Sequence, residues 1–338
     1  MSLIQETVAP ASAVEAPVKS MAVSRAASLL VLALLLLTPL FVKNFIIFQM
    51  TMWLIYAIAI IALNLLTGGS GQFSLGQSAF YALGAYTSAI LMQHANINYV
   101  LTLPVSGLVC FIFGFLFGLP ALRLSGVYLA LATFALATAM PQLLKLGVFE
   151  AWTGGVQGLV VDKPDPPFGL PMSQDMWLYY FTLIVGLLIY AASVNLLKSR
   201  SGRAMMAIRD NQIAASALGV NLSLYKTLAF GISAAFTGIA GALGAIVVQF
   251  VAPDGYTIQL AIAIFLGMVV GGVGWLPGSL AGSAFIVFVP NIAENVSKGL
   301  SGAVFGMLLI VVIFLVPHGA QQIAYFLEAT VKKLMSKN

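Results

Sequence analysis

Long apolar runs follow one another from residue 25 to residue 317, broken by Gly, Pro and short polar loops. Polarity does not alternate at every second position, as it would in the strands of an outer-membrane barrel. The runs instead have the length of a helix that crosses hydrocarbon, about 20 residues. They predict helices at 25–42 and near 48–66, 77–93, 100–119, 127–146, 178–197, 227–250, 258–274, 279–297 and 303–317. The expected fold is all-α, a polytopic transmembrane helical bundle of about ten spans. The 25–42 run is apolar enough for a signal-peptide core, yet its length and the restart of hydrophobic sequence at Phe45 favour a retained first span. Residues 1–24, rich in Ala, Val, Ser and Pro without helical period, read as a flexible cytoplasmic tail. Residues 25–330 form the transmembrane domain, and 331–338 a basic cytoplasmic tail.

One stretch interrupts the apolar pattern. Residues 198–226 read KSRSGRAMMAIRDNQIAASALGVNLSLYK, with Arg200, Arg203, Arg209 and a single acid, Asp210. Ser201 can cap a short helix running to about Arg209, Asp210 or Asn211 can cap a second through Leu218, and Gly219 suits the left-handed position that ends it. The segment is rich in Ala, Met and Ile with Arg203 and Arg209 as charged rims. It can therefore offer an apolar ridge to a partner's groove while its charges set register. A basic loop that only orients the chain in the membrane fits the composition equally well.

Composition agrees with the helical reading, since the chain is 61% hydrophobic and 7% charged with mean hydropathy +1.03, against about 25% charged in soluble domains. The net charge of +5 lies in loops and tails, so it orients the chain rather than binding nucleic acid. With a cytoplasmic amino terminus, the inner side receives Lys19, Arg25, Arg123, Lys198, Arg200, Arg203, Arg209, Lys226, Lys332, Lys333 and Lys337. The outer side holds only Lys43, Lys145, Lys163 and Lys298. That bias places both termini in the cytoplasm. The outer loop 147–176 carries Glu150, Asp162, Asp165 and Asp175, and its Lys163-Pro-Asp-Pro-Pro run favours extended turns, as a lid or receptor-facing loop would. Cys110 is the single cysteine, so neither a disulfide framework nor a thiolate metal site can form within one chain.

The inventory for catalysis is poor. His94 and His318 fall at opposite faces, and Glu294 is the one acid expected within a span. There is no phosphate-binding loop, no H-E-x-x-H zinc motif and no Ser-His-Asp arrangement, and a proton relay would need more intramembrane acids. The expectation is a transport subunit that is not an enzyme and binds no cofactor or metal, with energy supplied elsewhere or transport passive. A path could run along Asn64, Gly68, Gly69, Gly71, Gln72, Ser74, Gln77 and Ser78, where glycines break the helix beside polar groups; close helix packing explains the same glycines. Gly271-Gly272-Val273-Gly274 and the later Gly282-Ser283-Ala284-Phe285 echo Gly68–Gly71 and Gly76–Phe80. Gly238-x-x-Gly241-x-x-Gly244 reads as a packing seam, and Trp53, Tyr56 and Trp177 as interface anchors.

The run Gly202-Arg203-Ala204, Ala207-Ile208-Arg209-Asp210, Ile213-Ala214-Ala215, Ala217-Leu218-Gly219-Val220-Asn221, Tyr225-Lys226 and Leu228-Ala229-Phe230 resembles the cytoplasmic loop of the branched-chain amino acid ABC permeases of LivM type. Residues 64–77 (NLLTGGSGQFSLGQ) resemble the family's amino-terminal signature, and 119–130 (LPALRLSGVYLA) its inner loop. Thr153-Gly154-Gly155 with Gly158, and Gly271-Gly272-Val273-Gly274 with Pro277-Gly278, are similar to its outer loop and late glycine motif. The likeness covers most of 50–318, and departs at Ala204-Met205-Met206 and Trp275-Leu276.

The resemblance implies a permease half in the bacterial inner membrane, paired with a LivH-type second permease subunit. Two cytoplasmic ABC ATPases carrying ATP and Mg would bind beneath it, and a substrate-binding protein would deliver branched-chain or other hydrophobic amino acids. It further implies that 198–226 is the coupling loop, with Arg200, Arg203, Met206, Arg209, Asp210, Asn211, Ala214, Ala215, Leu218 and Gly219 facing the ATPase. Urea, short amides or aromatic acids on the same machinery, a passive channel, and a membrane-embedded scaffold or enzyme are the competing readings.

Overall fold

The computed structural model describes residues 25–124, 126–167 and 171–296, together with 306–307, 310–311, 314 and 319–322. The expected tails 1–24 and 331–338, most of the run near 303–317, Lys298, His318 and the Glu294 side chain lie outside the described residues. The chain divides into two units, Met1–Leu37 and Thr38–Asn338. The first contributes one described helix, α1 (Arg25–Leu37), which is apolar throughout after its first residues.

In the second unit a 3-10 turn (Thr38–Leu40) precedes α2 (Asn44–Ser70), α3 (Gln77–Ala95), α4 (Tyr99–Ala121), α5 (Val127–Leu144) and the single helical turn α6 (Glu150–Thr153). There follow α7 (Gln174–Lys198), α8 (Arg200–Asp210), α9 (Gln212–Ala217), α10 (Leu222–Val248), α11 (Ile258–Gly271) and α12 (Gly278–Val296). Side chains close several of the helix starts: Asn98 accepts from the Val100 amide, Ser173 from Met176, and Asn221 from Leu224. Each predicted apolar run within the described residues carries a helix. Among the described residues six helical segments, 44–70, 99–121, 127–144, 174–198, 222–248 and 253–271, are long and apolar enough to cross a membrane. The described residues thus form an all-α polytopic membrane protein.

The helix α3 is long but too polar to be recognised as a span by hydropathy. Its neighbours are the reason: it packs on both α4 and α10, and residues such as Gln77, Ser78, Ala82, Ala85 and Ser88 are buried in protein rather than facing lipid. The centre of the unit is α10, which packs chiefly on α4, α3 and α2. The α3–α10 crossing is made by backbone on backbone, because a Cβ on Gly84 would overlap the Gly238 carbonyl, and one on Gly241 the Tyr81 carbonyl. The glycine series at 238, 241 and 244 is therefore the packing seam its spacing predicts.

The segment between α6 and α7 holds a two-residue strand, β1 (Leu159–Val160), paired antiparallel with β2 (Phe250–Val251) in the register Leu159 with Val251. Residues 161–166 are irregular, as the proline run predicts. Two ion pairs lie at this end of the bundle, Lys145 with Asp254 and Lys163 with Asp175, each at 2.5 Å. The expected anchors are half-buried and tied to their neighbours: Trp53 Nε1 donates to the Leu280 carbonyl at 2.8 Å, Trp177 Nε1 to Tyr99 Oη at 3.0 Å, and Tyr56 stacks on Tyr81. A wide aromatic that bonds a neighbouring helix fixes packing between helices, which span-end position alone does not reveal.

Candidate functional site: the 198–226 loop and two glycine turns

Ser199 ends α7 and starts α8. Its hydroxyl accepts from the Gly202 amide at 3.1 Å, so the first cap is Ser199 rather than the expected Ser201. The second cap is Asn211, whose Oδ1 accepts from the amides of Ile213 and Ala214 at 3.0 Å each. At the far end Gly219 has φ +82°, and the amides of Gly219 and Val220 return to the carbonyls of Ser216 and Ala215 at 3.0 Å. Two capped helices joined at a corner result, as expected.

The two helices offer different faces. In α8, Gly202, Met205 and Ile208 are buried, and Met205 packs among Leu66, Phe80, Ala229 and Phe230, so α8 is anchored to the bundle. Met206 is half-buried and Arg200 exposed. Arg203 is exposed, and its Nη1 donates to the Lys198 carbonyl at 2.8 Å, closing the end of α7. In α9 only Ala215 is buried; Ala214 and Gly219 are open, and Ile213 and Leu218 are 83% and 84% exposed. The ridge the composition predicts is therefore carried by α9 and its end, with Ile213 as a member the sequence reading did not single out. Its tip position after an Asn cap was the available signal.

Arg209 is exposed, and its guanidinium is also tied to the bundle: its Nη1 donates to the Gly68 carbonyl at 2.7 Å, its Nε and Nη2 reach Asp210 Oδ1 at 2.9 and 2.8 Å, and its stem lies over Gly71. The loop thus meets the Gly68–Gly76 turn directly. Gly71 (φ +71°) ends α2, with its amide on the Thr67 carbonyl at 3.0 Å. Gln72 Nε2 donates to Ser70 Oγ at 2.9 Å and to the Lys226 carbonyl at 3.1 Å. Ser74 Oγ accepts from the Gly76 amide at 3.1 Å, and Thr133 Oγ1 from Leu75 at 2.9 Å. Gln77 Nε2 donates to Ser233 Oγ at 3.1 Å, while its Oε1 accepts from Thr237 at 2.5 Å.

The two glycine motifs, read as an internal echo, touch each other. A Cβ on Gly68 would sit 2.5 Å from the Gly274 Cα. Asn64, one helical turn earlier, donates to the carbonyls of Gly272 and Trp275 at 3.1 and 3.2 Å and accepts from the Gly274 amide at 2.6 Å. Gly272 and Gly274 have φ +105° and +84°, which ends α11 before the expected 274. Of the residues set out as a path, Asn64, Gln72, Ser74, Gln77 and Ser78 are all buried, and Ser78 Oγ alone among them lacks a partner. Gly69 faces Leu197 of α7. Because Asn64 satisfies three backbone groups of one turn, Asn64→Ala is expected to lower the thermal midpoint of the purified protein. Each buried group left unpaired costs about 1–3 kcal/mol. An unchanged melting curve would contradict the assignment.

Among the described residues no group of His, Cys, Asp and Glu could hold a metal ion. The described residues form a multi-pass helical bundle whose polar loop grips its central helices and leaves an apolar tip bare. The family model described as "Branched-chain amino acid transport system / permease component" matches residues 45–313, and the chain belongs to this family. The chain is 34% identical over 273 residues to the high-affinity branched-chain amino acid transport system permease protein LivM of Salmonella typhimurium, covering 74% of this chain and 62% of that protein. It is 25% identical over 240 residues to the probable branched-chain amino acid transport permease protein LivH of Methanocaldococcus jannaschii, covering 69% and 74%. It is 27% identical over 243 residues to the autoinducer 2 import system permease protein LsrC of Salmonella typhimurium, covering 68% and 67%. The chain thus spans about three-fifths of the length of the LivM protein it matches. No solved structure matches the chain significantly.

Proposed function

We propose that this chain is the permease subunit of an ATP-driven ABC importer in the bacterial inner membrane, translocating branched-chain or other hydrophobic amino acids by alternating access. The observation that carries the reading is α9, a capped helix with Ile213 and Leu218 bare, on a loop of a chain from a permease family. In this reading the tip enters a cleft on one of two cytoplasmic ATPases, which hold ATP and Mg, and 198–226 is the coupling loop. A LivH-type permease completes the membrane pathway, lipid surrounds it, and an external binding protein supplies substrate. The chain crosses the membrane ten times with both termini in the cytoplasm, tails 1–24 and 331–338 flanking the permease domain, and the basic loop 198–226 lies inside. Asn64, Gly68, Gly69, Gly71, Gln72, Ser74, Gln77 and Ser78 reach substrate only in a state where the turn between α2 and α3 and the 272–275 turn that covers Asn64 have both opened, since both are closed and paired here.

Proteoliposomes test the reading. With its partner permease, ATPases and an external binding protein, the chain is expected to accumulate radiolabelled leucine only when ATP is enclosed in the lumen of vesicles whose 198–226 loop faces the lumen. Leucine flux from the chain alone without ATP would make it a passive channel. ATP-driven flux of urea, benzoate or autoinducer 2 but not leucine would keep the mechanism and replace the substrate.

A further inference from the structure

The structure assigns to Arg209 the task of a positioning residue. It straps the 198–226 loop to the paired glycine turns 68–76 and 271–278, so that loop and turns move as one body. The inference rests on the importer reading for its consequence in transport, but its geometry stands within this one chain.

The Gly68 carbonyl belongs to the last turn of α2, where carbonyls have no amide partner along the helix and carry the negative end of its dipole. Arg209 supplies a charged donor there at 2.7 Å and covers Gly71 with its methylenes. Asp210 holds the guanidinium from the other side, so its orientation is set from two directions. The next residue, Asn211, caps α9, so the strap is attached directly at the base of the exposed tip. The end of the same loop grips the same turn, because the Lys226 carbonyl accepts from Gln72. Beyond Gly68 the contact continues without a gap: Gly68 lies on Gly274, and Asn64 holds the turn containing it. A displacement of α9 therefore pulls on the carbonyl end of α2 and on the start of α12 together. Rigid, bonded backbone carries such a displacement where a solvated loop would absorb it.

The test uses the full chain in nanodiscs for amide exchange and the assembled transporter for function, with Arg209→Ala and Arg209→Lys. In Arg209→Ala the Gly71 and Leu75 amides are expected to exchange about ten- to hundredfold faster, as loss of a charge-assisted hydrogen bond produces, while α10 amides are unchanged. The ATPase still co-purifies and hydrolyses ATP, and leucine uptake per ATP hydrolysed falls by about tenfold or more. Arg209→Lys, which keeps one donor, lies between and guards against a folding defect in the alanine variant. Unchanged exchange overturns the strap. Faster exchange with normal uptake overturns its role in transport, and loss of ATPase co-purification makes Arg209 a contact residue instead. If the unaltered chain fails to bind an ATPase at all, the importer reading falls, and the exchange result still decides the strap.

Discussion

Replacing Ile213 and Leu218 together with Asp is expected to abolish ATP-driven uptake and ATPase co-purification while leaving the melting temperature of the isolated chain unchanged. Both side chains are more than four-fifths exposed, so they contribute little to the fold. Surface substitutions of this kind usually shift stability by no more than about 0.5 kcal/mol. In a partner's cleft the balance reverses. Burying an Ile or Leu contributes about 1.5–3 kcal/mol each, so losing both weakens association by roughly 10²–10⁴-fold, before the cost of desolvating two carboxylates. Val156→Asp, exposed in the 147–176 loop, serves as the control. Normal co-purification by the double variant would remove α9 as the docking element. A fall in melting temperature would show instead that the tip is part of the fold.

Gly84→Ala is expected to be strongly destabilising even though alanine is the better helix former. Helix propensity favours the change by up to about 1 kcal/mol. Against this, the new methyl would overlap the Gly238 carbonyl of α10, and a backbone atom of a facing helix cannot rotate away. Forcing the two helices apart costs about 1–3 kcal/mol or more, and it loosens contacts along the α3–α10 seam, where Gly241 meets Tyr81. The comparison is Gly186→Ala in α7, where the methyl meets only Ile58 side-chain atoms at 3.6 Å. That variant is expected to be neutral or to gain part of the propensity term. Thermal unfolding of both variants in the same detergent separates the two effects, and equal shifts would contradict the close approach at Gly84.

The helices of the described chain were legible because hydrophobic length is a strong signal, and the polar helix α3 was found from its apolar and small residues despite low hydropathy. Asn211 and Gly219 were legible as punctuation because capping and left-handed backbone depend on residue type and local order. Ser199 was missed as a cap because Ser201 has the same chemistry. Where α7 stops, at Lys198, decides between them. The Met and Ile content of 198–226 suggested a single exposed ridge. Burial of Met205 and Ile208 among Leu66, Phe80 and Phe230 divides that content between an anchor and a tip.

By itself the sequence determined the membrane class, the positions of the helices, the basic character of 198–226 and its division into two capped helices. These depend on composition, run length and near neighbours, which a linear reading contains. Only the tertiary structure decided that the Arg209 guanidinium bonds the Gly68 carbonyl and that Asn64 closes a turn 208 residues away at Gly272. It also decided that the two glycine motifs touch. Such contacts depend on which backbone surfaces come within bonding distance after packing, and glycine leaves no side chain from which to read its neighbour.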